Sequence, residues 1–151
     1  MVIEIVTRNY NTLKNWYIAN SLHYWTTRFE SAYKPIIDST EKVVELLEFI
    51  RYEQREYLVC IALDATNKVI ARRVISIGTL TASLIHPREV FREAIKDGAV
   101  SVIVGHNHPS GSKPSTEDVA ITARLKESGK ILGIELIDHL IITPSSYTSI
   151  L

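Results

Sequence analysis

The run AVSVIVG, residues 99–105, narrows the fold more than any other stretch of the chain. It is apolar at nearly every position, rich in valine, and flanked by Gly98 and closed by Gly105. A half-exposed strand alternates apolar and polar residues, and this run does not. It therefore reads as a central strand buried on both faces, of the kind found inside α/β sheets.

The surrounding pattern supplies the cover. STEKVVELLEFIRYEQ, 39–54, has candidate caps at Ser39 and Thr40, acids in its early turns, and Val43, Val44, Leu47 and Ile50 at helical spacing. EYLVCIALD, 56–64, and VIARRVISIG, 69–78, flank the turn-like ATNK and read as a hairpin. TASLIHP is expected to be another extended piece. PREVFREAIKDG, 87–98, opens on proline and closes on glycine, the asymmetry of a capped helix. STEDVAITARLKESGK reads as a third helix ending near Gly129, IELIDHLIITP as a strand, and YTSIL as a last short one. Strands interleaved with three helices predict an α/β fold, a three-layer-like mixed β-sheet flanked by helices.

The segment after the buried run is GHNHPSGSKPSTED, 105–118. Residues two apart on an extended chain point to one side, with Cα atoms ~6.6 Å apart. His106 and His108 at that spacing can converge on one ion at Zn–N distances of ~2.0–2.1 Å. Ten residues separate His108 from Asp118, enough for a loop to return a carboxylate from the first turn of the next helix. Two histidines, one carboxylate and one water make a tetrahedral catalytic site with an open position. The same letters have a plainer reading. Ser115 with an acid three residues later is a capping box, and Pro and Gly are ordinary turn formers. The two readings coexist, because a capping serine can also face a site.

Composition removes several classes. Lys plus Arg and Asp plus Glu are 17 each, so the basic excess of a phosphate-held nucleic-acid binder is absent overall, while a local patch stays open. Cys60 is the single cysteine, which excludes an internal disulfide and a cysteine-rich zinc site. It also excludes a zinc nucleobase deaminase, which needs Pro-Cys-x-x-Cys ligands. The start, MVIEIVTRNY, has neither the basic n-region nor the apolar core of a signal peptide, and no run approaches the ~18 apolar residues of a membrane span. A cytoplasmic protein with no membrane partner is the expectation.

HNHPSGSKPSTED resembles the metal-binding motif of the JAMM (MPN-plus) metalloproteases, and most closely their RadC branch. EYLVCIALDATNKVI, HPREVFREAIKDGAVSVIVGHNHPSG, ITARLKESGKILGIELIDHLII and YTSI resemble RadC as well, so the likeness covers about residues 40–151. It implies the JAB/MPN, cytidine-deaminase-like architecture and a zinc ion on His106, His108 and Asp118. By the same resemblance Ser115 matches the serine that stabilises the oxyanion, and Glu56, standing before YLVCIALD, matches the catalytic glutamate. The implied activity is hydrolysis of a peptide or isopeptide bond in a peptide or protein substrate. Two departures stand out. The loop from His108 to Ser115 is one residue shorter than the usual RadC form, and residues 1–38 do not look like the helix-hairpin-helix region of full-length RadC proteins.

Alternatives stay open on the residues alone. Glu53, Glu89 and Glu93 rival Glu56, since spacing cannot rank acids against a site about 50 residues away. Two His and an Asp also serve a metal-dependent nuclease. The DNA-repair label of RadC proteins keeps open a metal-binding accessory module without protease activity. His139, alternating with apolar neighbours in IDHLII, is expected to be a satisfied core or rim histidine. His86 belongs to the start of a helix, His23 to the unreadable N-terminal part, and Cys60 to packing. Residues 1–38 carry both tryptophans, Trp16 and Trp25, keep no clean period, and are expected to be an appendage to a domain at 39–151 that docks on the core or joins two copies.

Overall fold

The computed structural model describes residues 26–28, 34–78 and 85–151. Its sheet has six strands: β1 (Thr26–Arg28), β2 (Tyr57–Leu63), β3 (Val69–Ile77), β4 (Ser101–Asn107), β5 (Glu135–Ile142) and β6 (Tyr147–Ser149). Their spatial order is β1-β3-β2-β4-β5-β6. β4 and β5 run parallel and every other pair antiparallel, so the sheet is mixed. The described residues also form three α-helices: α1 (Thr40–Leu47), α2 (Pro87–Asp97) and α3 (Thr116–Leu132).

The alternation of β2 and β4 divides the core in two. Leu58, Cys60, Val102 and Val104 pack with Val90 and Phe91 of α2 and Ile121 and Leu125 of α3. Val59, Ile61 and Ile103 point the other way, onto Val43 and Leu47 of α1. Every residue of β2 and β4 is buried, which is why neither strand shows a polar alternation. The result is the α/β three-layer arrangement expected from the sequence.

Three boundaries differ from the sequence reading. α1 stops at Leu47 and tightens into a 3-10 turn over Glu48–Ile50, whereas the sequence pattern predicts a helix through Gln54. Arg51, just beyond, turns its guanidinium to the Thr143 carbonyl at 2.6 Å, a bond between residues far apart in the chain. β4 runs two residues past Gly105, so His106 and Asn107 lie on the strand and not in a loop. α3 passes through Gly129 and ends before Gly133, whose φ of 70° takes the left-handed turn. A Cβ on Gly129 would lie 2.4 Å from the Ile134 carbonyl oxygen, so that glycine serves close packing inside the helix. Of the extended piece expected at TASLIHP, residues 81–84 lie outside the described residues, and His86 and Pro87 already cap and open α2.

Of residues 1–38, Thr26–Arg28 forms an edge strand on β3, and Ile36 bridges Lys68. Trp16, His23 and Trp25, with most of the expected appendage, lie outside the described residues. Among the described residues no helix is long and apolar enough to cross a membrane.

Candidate metal centre

The C-terminal end of β4 positions the first histidine. His106 pairs with Leu58 of β2 and Ile141 of β5, and shares the face of Val102 and Val104, toward α2 and α3. Asn107 points to the opposite face. His108 continues the chain with its N–H donating to the Ile142 carbonyl at 2.8 Å. Gly111 then turns the loop with a φ of 74°, and Ser115 caps α3.

Asp118, in the first turn of α3, meets both histidines. His106 Nε2 lies 3.1 Å from Asp118 Oδ1, and His108 Nε2 lies 3.4 Å from Asp118 Oδ2. The two Nε2 atoms are 2.9 Å apart. All three residues are buried, and their ligand atoms fall within 4.8 Å of one another. Two atoms each ~2.0–2.1 Å from a tetrahedral ion stand roughly 3.3 Å apart, so this donor set fits one zinc-sized cation. The loop from His108 to Ser115 is long enough to close the triad.

Ser115 and Asp118 form a reciprocal capping box. Asp118 N–H donates to Ser115 Oγ at 3.1 Å, while the Ser115 N–H and hydroxyl donate to Asp118 Oδ2 at 2.6 and 2.7 Å. Burial pushes the Asp118 carboxyl up. The His106 contact and the two Ser115 donors outweigh it and hold Asp118 well below the usual carboxylate range. The group is an anion, as a carboxylate ligand must be. The plain reading and the site reading thus meet in one residue: Oδ2 anchors the cap and Oδ1 faces His106.

Most of what stands behind the three residues was not legible in the sequence. His108 Nδ1 lies 3.0 Å from the Ser112 carbonyl, an acceptor, which makes this nitrogen the protonated one and leaves Nε2 its lone pair. His139, fully buried on β5, sits 2.9 Å from His106 Nδ1 and 2.7 Å from the Thr122 hydroxyl. It is the satisfied core histidine expected from its apolar neighbours. Burial first, then the nearby His106 and His108, lower its pKa to about 3. Asn107, between the two histidines, holds the Tyr57 N–H at 2.7 Å. Only His139 carried a sequence signal, its alternation in IDHLII.

Glu56 stands just before β2, half-buried, two residues from Leu58, the partner of His106. Strand parity puts it on the face of Leu58 and Cys60, the same face as His106. Glu89 and Glu93 are engaged along α2, Glu89 with Arg92 at 2.9 Å and Glu93 with Lys96 at 3.0 Å. Glu53 has its carbonyl bound by Asn107 at 3.3 Å.

A family model described as the RadC-like JAB domain matches residues 37–151. The chain belongs to this RadC-like JAB family. Its relatives include a "UPF0758 protein" of Clostridium perfringens, 53% identical over 106 residues that make up 70% of this chain and 47% of the relative. A UPF0758 protein of Shouchella clausii is 46% identical over 119 residues, 78% of this chain and 52% of the relative. One from Geobacillus thermodenitrificans is 52% identical over 106 residues, 70% of this chain and 47% of the relative. The chain thus spans about half the length of the curated relatives it matches. The RadC-like match begins two residues before Ser39 and takes in the whole His-His-Asp cluster.

Proposed function

We propose that His106, His108 and Asp118 hold a zinc ion and that this RadC-like domain is a zinc-dependent hydrolase of peptide or isopeptide bonds. One observation carries the reading. Three buried donors, two imidazole Nε2 atoms and a carboxylate oxygen, converge within ligand distance of one another. Acceptors crowded in this way require a proton or a cation between them, and the donor set suits zinc.

Zinc bound there would polarise a carbonyl and lower the pKa of water toward ~7. The chain's own residues supply the rest. Glu56 takes a proton from the attacking water and returns it to the leaving amine, as general base and then general acid. Ser115 steadies the developing oxyanion. A serine has one hydroxyl proton, and here it goes to Asp118 Oδ2 at 2.7 Å. Donation to an oxyanion therefore requires the hydroxyl to turn away from Asp118, with the Ser115 N–H keeping Oδ2 in place at 2.6 Å.

Metal analysis of the purified protein tests the site. About one zinc per chain is expected, and its loss in the His106→Ala, His108→Ala double variant. Unchanged stoichiometry in that variant overturns the assignment. Peptide and isopeptide hydrolysis, measured beside a salt-dependent DNA titration, separates the hydrolase from the alternative, a DNA-repair-associated metal-binding module or a metal-dependent nuclease.

A further inference from the structure

The proton directions around His106 follow from one threonine. The Thr122 hydroxyl oxygen lies 2.6 Å from the Asp118 carbonyl oxygen. A carbonyl only accepts, and two oxygens that close repel unless a proton lies between them, so the Thr122 proton points to Asp118. The Thr122 oxygen must then accept from its other neighbour, His139 Nδ1, at 2.7 Å. His139 therefore carries its proton on Nδ1. Its ring is fully buried and touches a hydroxyl and another imidazole, with no carboxylate of the described residues at either nitrogen, so a second proton would leave a buried charge without a counter-ion. Neutral His139 thus offers a lone pair at Nε2, 2.9 Å from His106 Nδ1. His106 donates there and keeps the lone pair of its own Nε2, the atom 3.1 Å from Asp118 Oδ1.

We infer that His139 is a positioning residue that fixes His106 in its Nδ1–H tautomer, and that Thr122 sets the direction of this relay. The inference rests on the metal reading above and deepens it: the relay aims the ligand nitrogen at the ion. His108 reaches the same tautomer by a shorter route, directly through the Ser112 carbonyl. The relay also closes on the site. It starts at the backbone of Asp118, one metal-ligand residue, and ends on His106, another. Ring orientation and ligand basicity at a metal histidine are set by the partner of its far nitrogen.

The test uses the full chain in wild-type, His139→Leu, His139→Gln and Thr122→Val forms. Leucine fills the space but cannot accept from His106, whereas the Gln carbonyl oxygen can. Zinc affinity, measured by competition with a chromogenic chelator, should fall about 10–100-fold in His139→Leu. His139→Gln should recover most of it, and Thr122→Val should show a smaller loss. Long-range 15N–1H spectra of zinc-free wild type should show His106 as the Nδ1–H tautomer, and Thr122→Val should mix in the other. A merely structural His139 would move neither the tautomer nor the Gln rescue. Equal zinc affinity in wild type and His139→Leu, or an Nε2–H His106 in wild type, overturns the relay. Wild type that binds no zinc overturns the metal reading instead, and the tautomer spectrum, which needs no metal, still decides the relay. If His139→Leu does not fold, the Gln and Val variants and the wild-type spectrum decide between the same two outcomes.

Discussion

Asn107 Oδ1 accepts the Tyr57 N–H at 2.7 Å, across 50 positions of sequence. Its amide nitrogen donates to the Arg55 carbonyl at 3.0 Å and to the Glu53 carbonyl at 3.3 Å. The residue between the two histidines thus clamps the backbone that carries Glu56. His106 and Asn107 face opposite sides of β4, so one strand end holds the candidate metal ligands and fixes the approach of the candidate base. In Asn107→Ala the Tyr57 N–H and two carbonyls lose this fully buried partner. We expect a loss of ~1–3 kcal/mol in stability, measured by denaturant unfolding. Zinc stoichiometry of the folded variant should stay unchanged, because the side chain points away from the ligands. Wild-type stability in this variant would mean that the clamp contributes nothing.

Glu56→Gln tests the base. The proposed ligand set is complete with two His, one Asp and a water, and a fourth protein ligand would close the open position that the proposed catalysis needs. The variant should bind zinc as wild type does while losing hydrolysis by ~10²–10⁴-fold. Zinc lost along with activity would make Glu56 a ligand or a structural support.

Cys60 should be inert in the folded protein. It lies in the core on β2, and burial, with the nearby Asp97 and Glu93 charges working against Arg73, pushes its pKa from an ordinary 9.0 to about 12. Iodoacetamide at pH 8 should therefore label native protein only as fast as it unfolds, and label the denatured chain at once. The linkage has a definite sign. The unfolded thiol ionises near 9.0 and the folded one near 12, so this contribution to stability is full below pH 9 and is lost as pH rises toward 12. Rapid native labelling at pH 8 contradicts the burial argument.

Gly105→Ala should damage the strand beneath His106. A Cβ there would lie 2.3 Å from Leu47 Cδ1 and 3.0 Å from Cδ2, and Leu47 is fully buried, with little room to retreat. We expect ~1–3 kcal/mol of destabilisation from overpacking. Combining it with Leu47→Ala should give much less than the sum of the two single effects, because the second change opens the space the first one needs. Strict additivity in that cycle would place the strain elsewhere.

Much of the fold is legible one element at a time. The buried run at 99–105, Pro87 and Gly98 around α2, and the Ser115–Asp118 spacing each depend on neighbours within a turn or two, so local letters specify them. Gly129 shows where such reasoning ends. A glycine near a helix end reads as a stop signal, yet the stop is at Gly133. Gly129 is there because the Ile134 carbonyl and the Phe91 ring press on it, contacts no local rule contains. The helical pattern of α1 likewise continues past the point where Arg51 turns toward the Thr143 carbonyl.

By itself the sequence determined the α/β class, the buried run that leads into the two histidines and the capped helix that carries Asp118 in its first turn. Period and capping chemistry are written in adjacent side chains, so each of these is a local property. Tertiary structure decided what meets across the sheet: His139 behind His106, 33 positions away, and Asn107 against Tyr57. Those meetings depend on strand register, Leu58 beside His106 and Ile141 on its other side. Register is a relation between distant segments, fixed only when both faces of the sheet have been packed.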